Sequence, residues 1–236
     1  MRPVISKVPR HIGLILDGNR RFAKKLMLKP WKGHEWGKKK LEKVLEWCSE
    51  INLKELTVYA FSVENINRPK EELDHLMKIF KNAYDDVAND PRINERGIKI
   101  NFIGHTYLFP KDVQESMKNL MEKTKNNKKH IVNFAMAYGG RDEIVDATRK
   151  IAEMVKDGKL DPKDIDKKTV SDNLYVKSEP DMIIRTGGEK RSSNFLCYQS
   201  AYSEWFYLEK MWPEFEKEDF LECLKEYSKR KRKFGR

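Results

Sequence analysis

Six short apolar runs rich in β-branched residues recur along this chain, near residues 12–16, 55–60, 98–103, 131–136, 181–184 and 205–208, and amphipathic stretches separate most of them. No other feature narrows the choice of fold as far. Runs this short read as strands buried on both faces rather than as helices. Between them, residues 38–51 gather Leu41, Val44, Leu45 and Cys48 on one helical face, and residues 71–87 do the same with Leu73, Leu76, Met77, Phe80 and Tyr84. Residues 140–156 and 216–231 read as further helices. The alternation predicts an α/β fold with a largely parallel central sheet of about six strands flanked by helices. With 236 residues, 39% of them hydrophobic, and no repeat or low-complexity linker, residues 1–236 read as a single domain.

In parallel sheets ligands gather beyond the carboxyl ends of the strands. Asp17, Ser62, Gly139 and Arg185 each fall just past a predicted strand. Around Asp17 an apolar run ends at a carboxylate, turns through Gly18 and Asn19, and enters a predicted helix carrying Arg20, Arg21, Lys24 and Lys25, where an anion is favoured. Around Arg185 the pattern repeats: Met182-Ile183-Ile184 closes on Arg185, Gly187-Gly188 allows close backbone approach, and Arg191, Ser193 and Asn194 follow. Arginine forks and hydroxyls suit phosphate oxygens. Each segment alone also fits an ordinary strand-turn-helix corner. An Asp-x-Asp nucleophile loop does not fit, because position 19 is Asn.

The formal charge of +11 favours an anionic partner without choosing one. Much of the excess lies in the tail at 229–233, yet no aromatic platform or nucleic-acid-binding module accompanies it, so no nucleic-acid partner is expected. Cys48, Cys197 and Cys223 are widely spaced and odd in number, and read as reduced structural thiols. No apolar run approaches bilayer-spanning length and no signal-peptide pattern opens the chain, so a cytoplasmic protein is expected.

Taken in order, 11–24, Gly33-His34, 57–69, Ala137-Tyr138-Gly139-Gly140-Arg141, 185–195, Tyr202-Ser203-Glu204 and Trp212-Pro213-Glu214-Phe215 resemble the motif blocks of the cis-prenyltransferases, the family of undecaprenyl and dehydrodolichyl diphosphate synthases. The likeness runs from His11 to Gly235. It implies condensation of isopentenyl diphosphate with an allylic prenyl diphosphate, a C15 or C20 starter, to give a long Z-polyprenyl diphosphate and pyrophosphate for glycosyl-carrier lipid synthesis. A homodimer, a hydrophobic product tunnel and peripheral membrane contact through the product are implied as well.

The chemistry needs a stabilised leaving diphosphate, a second diphosphate site and loss of one proton. A metal bridging diphosphate oxygens suits the first need, and Asp17 is the first choice of anchor. By resemblance, Glu204, from the same chain or across a dimer interface, joins Asp17 in placing Mg²⁺. The allylic diphosphate falls on Gly18, Asn19, Arg20 and Arg21, with Phe22 beside them, and isopentenyl diphosphate on Arg185, Arg191 and Ser193. Phe61, Glu64 and Arg68 complete the substrate contacts. For the proton, His34 has a suitable intrinsic pKa, and Ser62 and Asn65 lie on the loop after a strand. The division of labour between His34 and Asn65 stays open. Residues 63–75 resemble a mobile loop that closes over substrates, and the 71–87 face, with the helix carrying Leu41 to Cys48, resembles the tunnel wall.

The chain departs from bacterial members at five positions. Arg20 and Phe22 give the first motif an archaeal or eukaryotic character, and Ile66 stands where bacteria have Trp. Pro30 replaces a phosphate-binding arginine, for which Lys29 or Lys32 could substitute. Lys233-Phe234-Gly235 replaces the family's Arg-x-Gly. A non-catalytic scaffold subunit would lack the Asp-Gly-Asn turn, which is intact here. A trans-prenyltransferase would carry Asp-Asp-x-x-Asp, and 85–90 is out of step with it.

Overall fold

A computed structural model describes residues 7–230. Its strands are β1 (His11–Ile15), β2 (Glu55–Ser62), β3 (Ile98–Ile103), β4 (His130–Tyr138), β5 (Met182–Arg185) and β6 (Glu204–Tyr207). The helices are α1 (Asn19–Lys25), α2 (Pro30–Glu50), α3 (Lys70–Ala88), α4 (Pro91–Glu95), α5 (Lys111–Thr124), α6 (Gly140–Lys156), α7 (Lys167–Asn173) and α8 (Lys217–Lys229), with short 3₁₀ turns between some of them. The strands form one sheet in the order β3-β4-β2-β1-β5-β6. Every pairing is parallel.

Because β2 lies on one side of β1 and β5 on the other, the winding reverses at β1, and a crevice opens beyond its carboxyl end. Register brings the two predicted phosphate segments there: Ile15 stands opposite Arg185 on one side and Tyr59 on the other. Both sheet faces are covered. On one, Ile12, Leu14, Val58 and Ile184 pack with Val44 and Trp47 of α2 and Phe220, Leu224 and Tyr227 of α8. On the other, Ile15, Tyr59, Tyr138, Ile183 and Phe195 form a separate cluster. A third, around Phe102, Leu76, Tyr84, Met117 and Leu120, holds α3 and α5 on the β3-β4 flank.

The apolar and amphipathic pattern placed the elements well and their edges less well. α2 begins at Pro30 rather than at 38, since proline suits a first helical position. Its Gly33 and Gly37 let α1 lie close, for a Cβ on Gly33 would stand 2.0 Å from the Asn19 carbonyl oxygen. α5 buries Val113, Met117 and Leu120, a helix the strand-and-motif reading passed over. Residues 63–75, expected as a loop, fold as a 3₁₀ turn, Val63–Asn67, followed by the first turns of α3. Cys48, Cys197 and Cys223 are free thiols, and burial pushes Cys48 and Cys223 up to about 12.

Candidate active site

Beyond the carboxyl ends of β1, β2 and β5 lies a cleft of about 990 Å³. Asp17, Gly18, Asn19, Arg20, Arg21, His34, Phe61, Ser62, Glu64, Asn65, Arg68, Arg185 and Ser193 all line it, drawn from segments far apart in sequence. Its charged lining is cationic on balance: Arg20, Arg21, Lys24, Arg68 and Arg185 against Asp17 and Glu64.

Asp17 is held from both its main chain and its carboxylate. The Thr186 hydroxyl and the Trp212 amide donate to its carbonyl at 2.8 and 2.9 Å. Arg185 Nη2 donates to Oδ2 at 2.9 Å and Arg21 Nη2 to Oδ1 at 3.1 Å. Arg185 itself is buried, only 4% exposed, and its Nη1 donates to Ser193 Oγ at 2.7 Å and to the Arg191 carbonyl. One guanidinium thus ties the β1 turn to the 191–194 loop. In that loop Ser193 and Asn194 take φ of 49° and 63°, and Tyr59 donates from its hydroxyl to the Ser193 carbonyl at 3.3 Å while its ring stacks on Phe195. Asn19 Oδ1 and Arg185 Nε are buried with no hydrogen-bond partner among the described residues.

A second charged group closes the cleft toward α3. Glu72, buried, accepts from Arg68 Nη1 at 3.1 Å and lies 3.6 Å from both Arg20 Nε and His34 Nε2. Burial, with Arg68 and Arg20 nearby, pushes the His34 pKa below its ordinary value against the opposing pull of Glu72. Arg68 Nη1 also lies 3.2 Å from His34 Nε2, so that nitrogen is the acceptor and the ring is neutral. Arg68, with Arg20 beside it, holds the Glu72 carboxyl below its usual range. Sequence reasoning missed Glu72; its place four residues after Arg68, in the first turn of α3, was the available signal.

Ser62 and Asn65 are bound to each other. Asn65 Oδ1 accepts from the Ser62 amide at 3.2 Å, and Ser62 caps the 3₁₀ turn in return. With its oxygen engaged, Asn65 has its side-chain amide group left as a donor.

The structure departs from the sequence reading at several residues. Phe22 lies in the α1–α2 contact, its ring 5.4 Å from Trp36, and does not line the cleft. Arg191 is exposed and its side chain pairs with Glu189 at 2.7 Å, so its backbone carbonyl, not its guanidinium, enters the Arg185 network. Glu204 stands opposite Met182, which stands opposite Ile12, so it sits at the amino end of the sheet, paired with Arg230 at 2.7 Å. Within one chain Glu204 cannot join Asp17, because parallel strands place their first and last residues at opposite edges. Lys29 lies over the Trp31 ring and Lys32 pairs with Glu35, while Lys24 is the lysine that lines the cleft. Lys233 lies outside the described residues.

Behind the cleft a narrower cavity of about 120 Å³ runs between α2 and α3. It shares Leu16, Asn19, His34 and Ala60 with the cleft and continues past Leu41, Leu45, Leu76, Phe80, Ala83 and Tyr84. Leu73 and Met77 pack against the neighbouring core instead, and Cys48 lies away from this cavity. A polar, cationic chamber backed by a largely apolar cavity suits a ligand with a charged head and a hydrocarbon tail.

A family model described as putative undecaprenyl diphosphate synthase matches residues 15–235. The chain is a cis-prenyltransferase of that family. It is an enzyme that transfers prenyl groups. It is 48% identical over 231 residues to a tritrans,polycis-undecaprenyl-diphosphate synthase (geranylgeranyl-diphosphate specific) of Pyrococcus abyssi, covering 97% of this chain and 88% of that protein. An isoprenyl transferase of Thermus thermophilus is 44% identical over 235 residues, covering 97% and 89%. The crystal structure of lavandulyl diphosphate synthase from Lavandula x intermedia in complex with dimethylallyl diphosphate superposes on this prenyltransferase with a TM-score of 0.92 at 35% identity, covering 97% and 98% of the two chains.

Proposed function

We propose that this enzyme condenses isopentenyl diphosphate with geranylgeranyl diphosphate, repeatedly and in Z geometry, to give a long polyprenyl diphosphate and pyrophosphate. The observation that carries the reading is the placement of the cationic cleft at Asp17 and Arg185 directly against the apolar cavity between α2 and α3, with Leu16, Asn19, His34 and Ala60 lining both. The C20 starter rests on the names of the archaeal relatives, which specify geranylgeranyl diphosphate for those proteins. An undecaprenyl-length product rests on the same names.

In this reading the allylic diphosphate takes the Gly18–Arg21 turn, where no side chain caps α1 and Arg21 stands beside Asp17. Isopentenyl diphosphate takes the Arg185 and Ser193 side. Because Ser193 Oγ accepts from Arg185, its own proton is directed to a substrate oxygen. Asn65 donates to substrate from its amide group, and neutral His34, an acceptor for Arg68, holds that guanidinium toward the cleft. Mg²⁺ fits the donor set in the manner of a hard cation bound by one carboxylate and substrate phosphates. Among the described residues no cluster of three or more His, Cys, Asp or Glu offers an all-protein cage. Asp17, partly exposed between two arginines, would hold it. When bound, Mg²⁺ neutralises charge that builds on the departing diphosphate. Arg21 and Arg185, which meet the Asp17 carboxylate here, would supply donors to diphosphate oxygens.

A homodimer agrees with Glu204 lying on the open edge strand β6, away from its own cleft. Peripheral membrane contact follows from the nature of the product. Incubation with Mg²⁺, labelled isopentenyl diphosphate and C10, C15 or C20 starters tests the proposal by chain-length and double-bond analysis. Long Z-rich product from the C20 starter supports it; preference for another starter overturns the C20 assignment, and no product from any overturns the activity.

A further inference from the structure

The corner between α1 and α2 carries apolar side chains that the core does not use. Leu26, Met27 and Leu28 are exposed by 43%, 96% and 44%. Met27 takes φ of 56°, a left-handed conformation that glycine adopts freely and methionine does not. Neither burial nor backbone ease explains an apolar residue at that point. Leu26 lies one helical turn past Phe22, whose ring meets Trp36, itself half exposed, so the tip continues into a wider apolar surface.

Lysines border this surface: Lys24, Lys25, Lys29 and Lys32. Lys25 pairs with Glu214 and Lys32 with Glu35. Lys24 and Lys29 meet no carboxylate among the described residues, and Lys29 lies 5.6 Å from the Trp31 ring centre. An exposed apolar tip with a basic rim matches the two components of an anionic bilayer surface, hydrocarbon beneath phosphate. A second copy fits less well, since a two-fold contact through this corner would set lysine against lysine. Met27, Leu28 and Lys24 also line the mouth of the cleft.

We propose that the α1–α2 corner docks the enzyme on an anionic membrane, with residues 26–28 entering the headgroup boundary and Lys24 and Lys29 meeting lipid phosphates. The docked cleft then opens toward the bilayer. The use of this arrangement, delivery of a long prenyl diphosphate into lipid, rests on the proposed function; the docking does not.

The test is flotation of the full-length protein with vesicles of phosphatidylcholine alone or mixed with phosphatidylglycerol, without substrate. Binding to the mixed vesicles, weakened by salt, is expected. Met27→Asp should lower the partition coefficient roughly 10-fold or more, the loss of one buried methionine side chain. Met27→Gly supplies a control for folding, because it removes the apolar side chain and relieves the backbone: Tm should hold or rise while partition falls. Lys24→Ala with Lys29→Ala should lower partition to mixed vesicles about 30-fold and flatten its salt dependence. Absence of vesicle binding by the wild-type protein overturns the proposal. So does binding lost with the lysines yet unchanged in Met27→Asp, which is surface adsorption alone. Dissociation of an oligomer by Met27→Asp with no change in partition would assign the corner to a second copy. Prenyl transfer measured in parallel with soluble short-chain substrates keeps failure of the activity separate from failure of docking.

Discussion

Replacing Asp17 with alanine removes a cleft carboxylate and also strands a buried cation. Arg185 is 4% exposed, and Asp17 is its carboxylate partner. Removing one member of a buried pair costs about 3–5 kcal/mol. Here Asp17 is 28% exposed at its side chain, and Arg185 retains Ser193 Oγ and the Arg191 carbonyl, which brings the expected loss to about 2–3 kcal/mol. For a chain of this size that is a fall in Tm of about 5–10 °C. Turnover, assayed well below the lowered Tm at saturating Mg²⁺, should fall roughly 10²-fold or more, as for loss of one stabiliser of transition-state charge. Adding Arg185→Leu to Asp17→Ala removes the stranded cation. The double variant should then be destabilised by about 1–2 kcal/mol less than the sum of the two single effects, with no return of activity. Calorimetry of the four proteins gives the coupling. An Asp17→Ala protein with wild-type Tm would refute the dependence of Arg185 on Asp17, and near-normal turnover would refute the role of Asp17 in the site.

Arg191→Ala should leave Tm within about 1 °C of wild type, because an exposed ion pair contributes little. If its guanidinium reaches substrate, steady-state kinetics will show the KM for isopentenyl diphosphate rising more than that for the allylic partner; an equal rise would misplace the two diphosphates. Ala83→Phe fills the wall between α2 and α3 and should shorten the product without changing the first condensation, which chromatography of product lengths would show. Burial lowers the pKa of His34 and of His11, so the unfolded chain binds protons that the folded one resists. Stability attributable to them is full above the ordinary histidine value near 6.5 and declines as pH falls from there toward the lowered values. Each adds a slope of at most about 1.4 kcal/mol per pH unit. Chemical denaturation between pH 7.5 and 5 should show the decline, reduced in His34→Gln; an unchanged slope would exclude His34 as a source.

Local sequence determined a good deal about this prenyltransferase. The run His11–Ile15 could only be a strand buried on both faces, Gly18 and Asn19 had to turn it, and Arg20 and Arg21 had to follow on a helix. The same logic brought Ser62 and Arg185 to strand ends, and those positions do line one cleft. It also drew α2 and α3 with apolar stripes, and Leu41, Leu45, Leu76 and Phe80 of those stripes line the cavity behind the cleft. What it left undetermined depends on contacts between residues distant in the chain. Nothing local to 11–15 or 182–185 states that β1 and β5 are neighbours, yet that adjacency pairs Asp17 with Arg185. Glu204 shows the converse. As part of a motif it belonged with Asp17, but the register of β6 sets it at the other edge of the sheet, because parallel strands carry their amino ends together. Glu72 read as one more charge on an amphipathic helix until α2 packed against α3 and enclosed it with His34, Arg68 and Arg20. Periodicity and turn chemistry act over a few residues and are written in the sequence. Strand order, register and the burial of a charge are set by packing over the whole chain, and only the tertiary structure decides them.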